Sequence, residues 1–147
     1  MRVRRATIAL LVLACAACND VRQFRGAWSG PRVGDAPVLD VGIGSDATAT
    51  LTIDTIDTHG FAGHLTIPGL VDAAAITSLP GAEADVLSEI SFTGSPLRVY
   101  LAFADASDGA GQLFVVTALY DDHRIEVRVL RGGTAPVYAI FALAEGP

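Results

Sequence analysis

Several small groups of residues in this 147-residue chain are of types that do chemistry. Cys15 and Cys18 stand in a C-x-x-C spacing, which makes a redox pair only in a strand–helix–strand setting, and no such pattern follows them. Asp54, Asp57, His59 and His64 supply carboxylate and imidazole around one hairpin. A metal needs three or four such ligands held together. Asp54 and His64 face each other across that hairpin, and the simpler expectation is a cross-strand charge pair worth a few tenths to about 1 kcal/mol. His123, beside Asp121 and Asp122, reads as a turn residue that tolerates a left-handed backbone. Asp105-Ala-Ser-Asp108-Gly109 lacks the alternating oxygens and terminal Glu of a calcium loop and reads as an exposed acidic hairpin loop. The carboxylate pairs Glu83/Asp85 and Asp121/Asp122 read as solvated surface. There is no Gly-x-Ser-x-Gly elbow, and the glycine pairs Gly109/Gly111 and Gly132/Gly133 precede strands rather than helices, so neither nucleophile nor phosphate cradle is indicated. No catalytic residue, resident metal or cofactor is expected.

The two cysteines are placed by what precedes them. Arg2, Arg4 and Arg5 form a basic start, and Ala6 to Ala14 is an apolar run that extends to Ala17. The run is short of the ~20 residues that span a bilayer and has the length and flanks of a signal-peptide core. Ala16-Ala17-Cys18 followed by Asn19-Asp20 resembles a bacterial lipoprotein leader, in which signal peptidase II cuts before a Cys that then carries acyl chains such as palmitate. The resemblance implies a signal peptide over 1–17 and lipidation at Cys18, with Cys15 as the alternative. Asn19, rather than Asp, after the lipidated residue implies an outer-membrane rather than an inner-membrane address in the cell envelope. Removing residues 1–17 takes away three Arg and no acid, which changes the net charge from −6 to −9. An acidic domain is not drawn to anionic headgroups or nucleic acid, so the lipid itself would hold it at the membrane.

Residues 18–25 read as a tether, short and polar over Asn19 to Phe24, and 26–147 as one domain. The chain is 51% hydrophobic with 7% aromatic residues, enough for a core, and both cysteines precede the domain. No helical period is sustained. Period-two alternation, broken by Gly, Pro, Asp and Ser clusters, predicts an all-β fold, a small antiparallel barrel or a β-sandwich of about 8–10 strands. Strands are expected over 26–32, 38–43, 47–57, 61–67, 97–104, 113–120, 124–130 and 137–143, and more weakly over 71–78 and 86–92, with 82–89 as an alternative short helix. A three-residue loop at Thr58-His59-Gly60, with Gly60 left-handed, pairs Ile53 with Leu65 and Asp54 with His64. A turn at Asp121-Asp122-His123 pairs Leu119 with Ile125 and Thr117 with Val127. The last hairpin turns at Gly132-Gly133, either as two residues or with Thr134 as three; the longer turn, which buries Val137, Ala139 and Phe141, is preferred.

Gly26-Ala27-Trp28 at the first strand resembles the Gly-x-Trp signature of the lipocalins, small up-and-down barrels that hold apolar ligands. The resemblance implies that Gly26 and Trp28 are structural, with Trp28 plugging the closed end of the barrel beneath an Arg, for which Arg124 and Arg128 are the candidates. Leu51, Ile53, Leu65, Leu101, Phe103 and Leu119 are expected to point inward and to fill much of the interior.

The function expected is a lipid-anchored envelope lipoprotein with a non-catalytic structural or binding role. The alternatives are a carrier of a small hydrophobic ligand and, least favoured, an enzyme. A partner protein in the envelope would meet the semi-apolar face of Tyr100, Phe114, Val116 and Tyr120.

Overall fold

The computed structural model describes residues 20–33, 42–80, 92 and 94–146. The leader, Cys15, Cys18, the expected helix over 82–89 and all but Phe92 of the weak strand 86–92 lie outside them. So does 38–41 of the expected second strand, whose last residues, Gly42 and Ile43, are not in a strand.

A 3-10 turn (Val21–Phe24) leads into eight strands: β1 (Gly26–Pro31), β2 (Thr48–Ile56), β3 (Phe61–Ile67), β4 (Val71–Thr77), β5 (Arg98–Asp105), β6 (Gln112–Tyr120), β7 (Arg124–Arg131) and β8 (Val137–Glu145). They form one antiparallel sheet in the order β4-β3-β2-β1-β8-β7-β6-β5. Because β1 pairs with both β2 and β8, the meander curls into a nearly closed barrel. The seam runs between β4 and β5 and is bridged by Leu79 N–H to the Leu101 carbonyl (2.7 Å) and Ser107 N–H to the Leu70 carbonyl (2.9 Å).

Alternation decides which side chains enter. Trp28, Leu51, Ile53, Leu65, Leu113, Leu119, Val127 and Phe141 are fully buried in one interior cluster. β5 and β6 do not alternate between core and solvent. Val99, Leu101, Val116, Ala118 and Tyr120 form a second buried cluster on the outer wall, with Leu79, Phe92 and Phe114 packed against it. This inverts the expected phase of β5. Tyr100, Ala102 and Ala104 enter the barrel, while Leu101 lies in the outer cluster and Phe103 is 45% exposed. A strand apolar on both faces carries no period-two signal to set its phase.

The β6–β7 hairpin has the predicted register throughout, from Leu119↔Ile125 to Val115↔Val129. In the last hairpin Val137, Ala139 and Phe141 are buried as expected, but Arg131 pairs with Val137, leaving the five residues 132–136 in the connection. The β2–β3 register differs by two. Leu51 pairs with Leu65 and Ile53 with Gly63, because the connection spans 57–60 and a bulge between Ile53 and Thr55 takes up a further residue. A shift of two keeps every side chain on its predicted face.

Candidate functional site

One end of the barrel is closed from the N-terminus. Asp20 caps the 3-10 turn, its carboxylate accepting from Arg22 N–H at 3.0 Å. Side chains three apart in such a turn share a side, and Val21 and Phe24 are both buried against the barrel. The residues read as a polar link therefore belong, from Val21 onward, to the folded body. Gly26 reverses the chain into β1 with φ +131°, a backbone conformation that side chains rarely allow. Trp28 then points inward, and its Nε1–H donates to the Phe24 carbonyl at 2.8 Å.

His123, at φ +58° in the β6–β7 turn, completes the closure. Its ring stacks on Phe24 at 5.5 Å and meets Trp28 edge-on at 4.9 Å. Its Nε2 lies 2.9 Å from Glu145 Oε2 at the end of β8. Among the described residues neither candidate arginine lies over Trp28. Arg124 lies over the Tyr120 ring and Arg128 over the Phe92 ring, while His123 takes the expected position. Read as a turn residue only, His123 was recognisable in its backbone but not in its contacts. The end of a turn lies beside β1 only once the sheet has curled.

The hairpin that carried the metal candidates holds a pair and no more. His64 Nδ1 lies 3.0 Å from Asp54 Oδ2, both side chains about half exposed. The pair survives the change of register because Asp54 sits in the bulge. Asp57 turns its carboxylate to the backbone, accepting from His59 N–H (2.7 Å) and Gly60 N–H (3.0 Å), and these bonds hold its carboxyl below the usual range. Among the described residues, no three His, Cys, Asp or Glu come together as a metal site. Gly60 is not left-handed, contrary to expectation. It must be glycine for space, since a Cβ there would stand 2.4 Å from Ser78 Oγ, the acceptor for Phe61 N–H.

Both rims carry a cleft, one of about 540 Å³ beside the β2–β3 turn, with Ile56, Phe61 and Ser78 among its lining, and a second at the opposite rim. The loop at 42–48 and the β3–β4 turn border this second cleft of about 390 Å³, with Ile43, Ala47, Ile67 and Leu70 among its lining. In the β5–β6 loop, both Asp108 oxygens take hydrogen bonds from Arg131 (3.0 and 2.6 Å), one of them also from Ala110 N–H. These bonds hold the Asp108 carboxyl below its usual range and push the Arg131 guanidinium up. Asp105 accepts from Gln112. The loop's acids are thus engaged with protein donors.

The outer wall divides in two. On β2 and β3 it is polar, with Thr50, Thr52, His64 and Thr66 outward, the reverse of a lipid-facing wall. On β5 to β8 it is apolar, and Phe103, Phe114, Leu130 and Tyr138 are successive cross-strand neighbours. Of the expected partner face, Phe114 alone stays part-exposed. Val116 and Tyr120 are buried in the outer cluster, and Tyr100 enters the barrel, its hydroxyl donating to the Asp57 carbonyl at 2.6 Å. Beneath Phe92, Arg128 Nε donates to Glu126 Oε1 at 2.6 Å, with side chains 10% and 4% exposed. The apolar cluster beside it buries the pair. Burial, then the neighbouring Glu126 charge, pushes the Tyr120 hydroxyl up.

Eight up-and-down strands, a nearly closed barrel and a tryptophan at its closed end make a small all-β domain of lipocalin-like build. The chain matches no family model, no curated protein and no solved structure.

Proposed function

We propose that the protein is a lipid-anchored envelope lipoprotein whose barrel serves as a non-catalytic scaffold that binds through its outer surface. The observation that carries this reading is the packed interior: Trp28, Leu51, Ile53, Leu65, Leu119 and Phe141 stand fully buried against one another. A small barrel filled by its own side chains is rigid and has little room for a guest. The apolar row Phe103–Phe114–Leu130–Tyr138 is the surface such a scaffold would offer to a partner in the envelope.

The carrier reading draws support from the clefts at the two rims, whose volumes fall within the range of small-ligand sites; the one bordered by Ile43, Ala47 and Leu70 lies at the rim away from Trp28. Intact-mass analysis of protein extracted from membranes, under native and denaturing conditions, tests both. An acylated chain beginning at Cys18 with no bound small molecule is the expected result. A co-purifying apolar compound displaced by Leu70→Trp would favour the carrier, and an unacylated, soluble chain would remove the anchor.

A further inference from the structure

We propose that the closed end of the barrel, formed by the 3-10 turn with the β2–β3 and β6–β7 turns, is the surface that rests on a phospholipid bilayer, so that the cleft at the other rim faces the aqueous side. The inference rests on the reading that Cys18 is acylated. From there the argument is one of chain length. Asp20 caps the turn, and Val21 and Phe24 anchor that turn in the barrel. Only Asn19 lies between Cys18 and Asp20, so the two are two residue steps apart. Two extended residues reach at most about 7 Å. A strand of nine residues such as β2 runs about 30 Å, and the usual barrel tilt reduces that to a height somewhat above 20 Å. The leash is therefore much shorter than the barrel is tall, and the far rim cannot be the end that meets the membrane.

The point where the anchor leaves the chain favours this end over the wall, and two arginines stand beside it. Arg22 and Arg25 are exposed on the turn and make no ion pair within 4 Å among the described residues, free to meet headgroup phosphates beside the anchor. Of the acids at this end, Asp57 accepts from backbone donors with the Arg22 charge acting on it, Glu145 pairs with His123 and Asp122 with Arg124, while Asp20 and Asp121 are exposed. The orientation leaves the far-rim cleft and the apolar row accessible to partners from water rather than from the bilayer.

The test uses the full chain, processed and acylated in cells, and reconstituted into phosphatidylcholine–phosphatidylglycerol vesicles containing a nitroxide-headgroup lipid. Fluorophores are attached at single cysteines introduced as Asp121→Cys (closed end), Ser107→Cys (opposite rim) and Phe103→Cys (outer wall). Quenching is expected to be severalfold stronger at position 121 than at 107, with 103 between. Trp28, the chain's one tryptophan, gives a label-free second reading by energy transfer to a dansyl lipid. Equal quenching at 121 and 107, or strongest quenching at 103, in a chain of acylated mass overturns the orientation and leaves the anchor standing. A chain without acyl mass at Cys18 overturns both. In Arg22→Gln/Arg25→Gln the preference for 121 should weaken; an unchanged preference overturns the arginine contact.

Discussion

The His123 imidazole stands edge-on to the Trp28 indole, ring centroids 4.9 Å apart, and the same imidazole reaches Glu145, the residue paired with Trp28 across β1 and β8. The β1–β8 pairing runs over Trp28↔Glu145 and Ser29↔Ala144, and an isolated bridge at Arg32↔Phe141 continues it beyond an interruption. The ring cluster thus reinforces, at one end, an interrupted strand pairing. Trp28→Ala should cost about 3–5 kcal/mol in denaturant unfolding, as expected for removing a fully buried large aromatic. His123→Asn keeps a residue tolerant of the left-handed backbone and deletes the ring contacts and the exposed contact with Glu145, so about 0.5–1.5 kcal/mol is expected. A Trp28→Ala loss below about 1 kcal/mol would contradict the role given to the closed end.

Gly60 separates two reasons for a glycine. If backbone conformation required it, substitution would cost the same whatever its neighbours. Its φ is ordinary, and Ser78 Oγ occupies the space a Cβ would take. In Gly60→Ala the serine must turn away and give up its bond to Phe61 N–H, a loss of about 0.5–1.5 kcal/mol. In a Ser78→Ala background that bond and the clash are both gone, and Gly60→Ala should be nearly neutral. A double-mutant cycle on melting curves checks this. Full additivity would return the argument to the backbone.

These two cases mark what the sequence could convey. Strand positions and most faces were legible because Leu51, Ile53 and Leu65, or Val127 and Val129, alternate with polar neighbours. The β6–β7 register followed from a single turn. The β2–β3 register did not, since nothing in Ile53-Asp54-Thr55 announces a bulge. β5 was misphased because Tyr100, Leu101, Ala102 and Phe103 are apolar in succession. The closed end was half legible: Gly26 and Trp28 carried a local signature, whereas His123 reaches them only through closure of the whole sheet, and a hairpin read in isolation contains no such contact.

The Glu126–Arg128 pair invites a test of what a buried charge contributes. Both side chains are nearly out of water, and Tyr120 and Phe92 lie against them. Removing one partner leaves the other charge buried, so Glu126→Ala should destabilise by about 3–5 kcal/mol. Replacing both together, as Glu126→Leu/Arg128→Met, should cost much less than the sum of the single changes. Urea unfolding of the three variants decides it; simple additivity would mean that the charges are solvated.

Thr117 offers the opposite case. It is 1% exposed inside the barrel, opposite Tyr100 and Val127, and its hydroxyl has no hydrogen-bond partner among the described residues. A buried, unsatisfied hydroxyl costs about 1–3 kcal/mol, and valine has nearly the same shape. Thr117→Val should therefore raise the melting temperature. A fall would mean that the hydroxyl is satisfied in solution.

The acid limb of stability follows from Asp108 and Asp57. Hydrogen bonds from Arg131 and Ala110 N–H hold Asp108 below its ordinary value of 3.8, and backbone bonds from His59 and Gly60 do the same for Asp57. A carboxyl whose folded pKa is depressed binds fewer protons folded than unfolded. Its contribution is present in full above the unfolded value and is lost as pH falls through the folded one. The melting temperature of the parent protein should hold from neutrality down to about pH 5 and then fall steadily. Asp108→Asn cannot titrate and keeps only neutral acceptors for Arg131. Its melting temperature should start lower at neutral pH and fall less steeply in acid, the two curves converging toward pH 2–3, about where the parent carboxyl is also neutral. Parallel curves across that window would mean that the Asp108–Arg131 bonds do not persist in solution. Tyr120 acts at the other end. Its raised pKa adds stability that is complete below the unfolded value of 10.0 and is lost as pH rises through the folded one, and Tyr120→Phe should remove that alkaline loss.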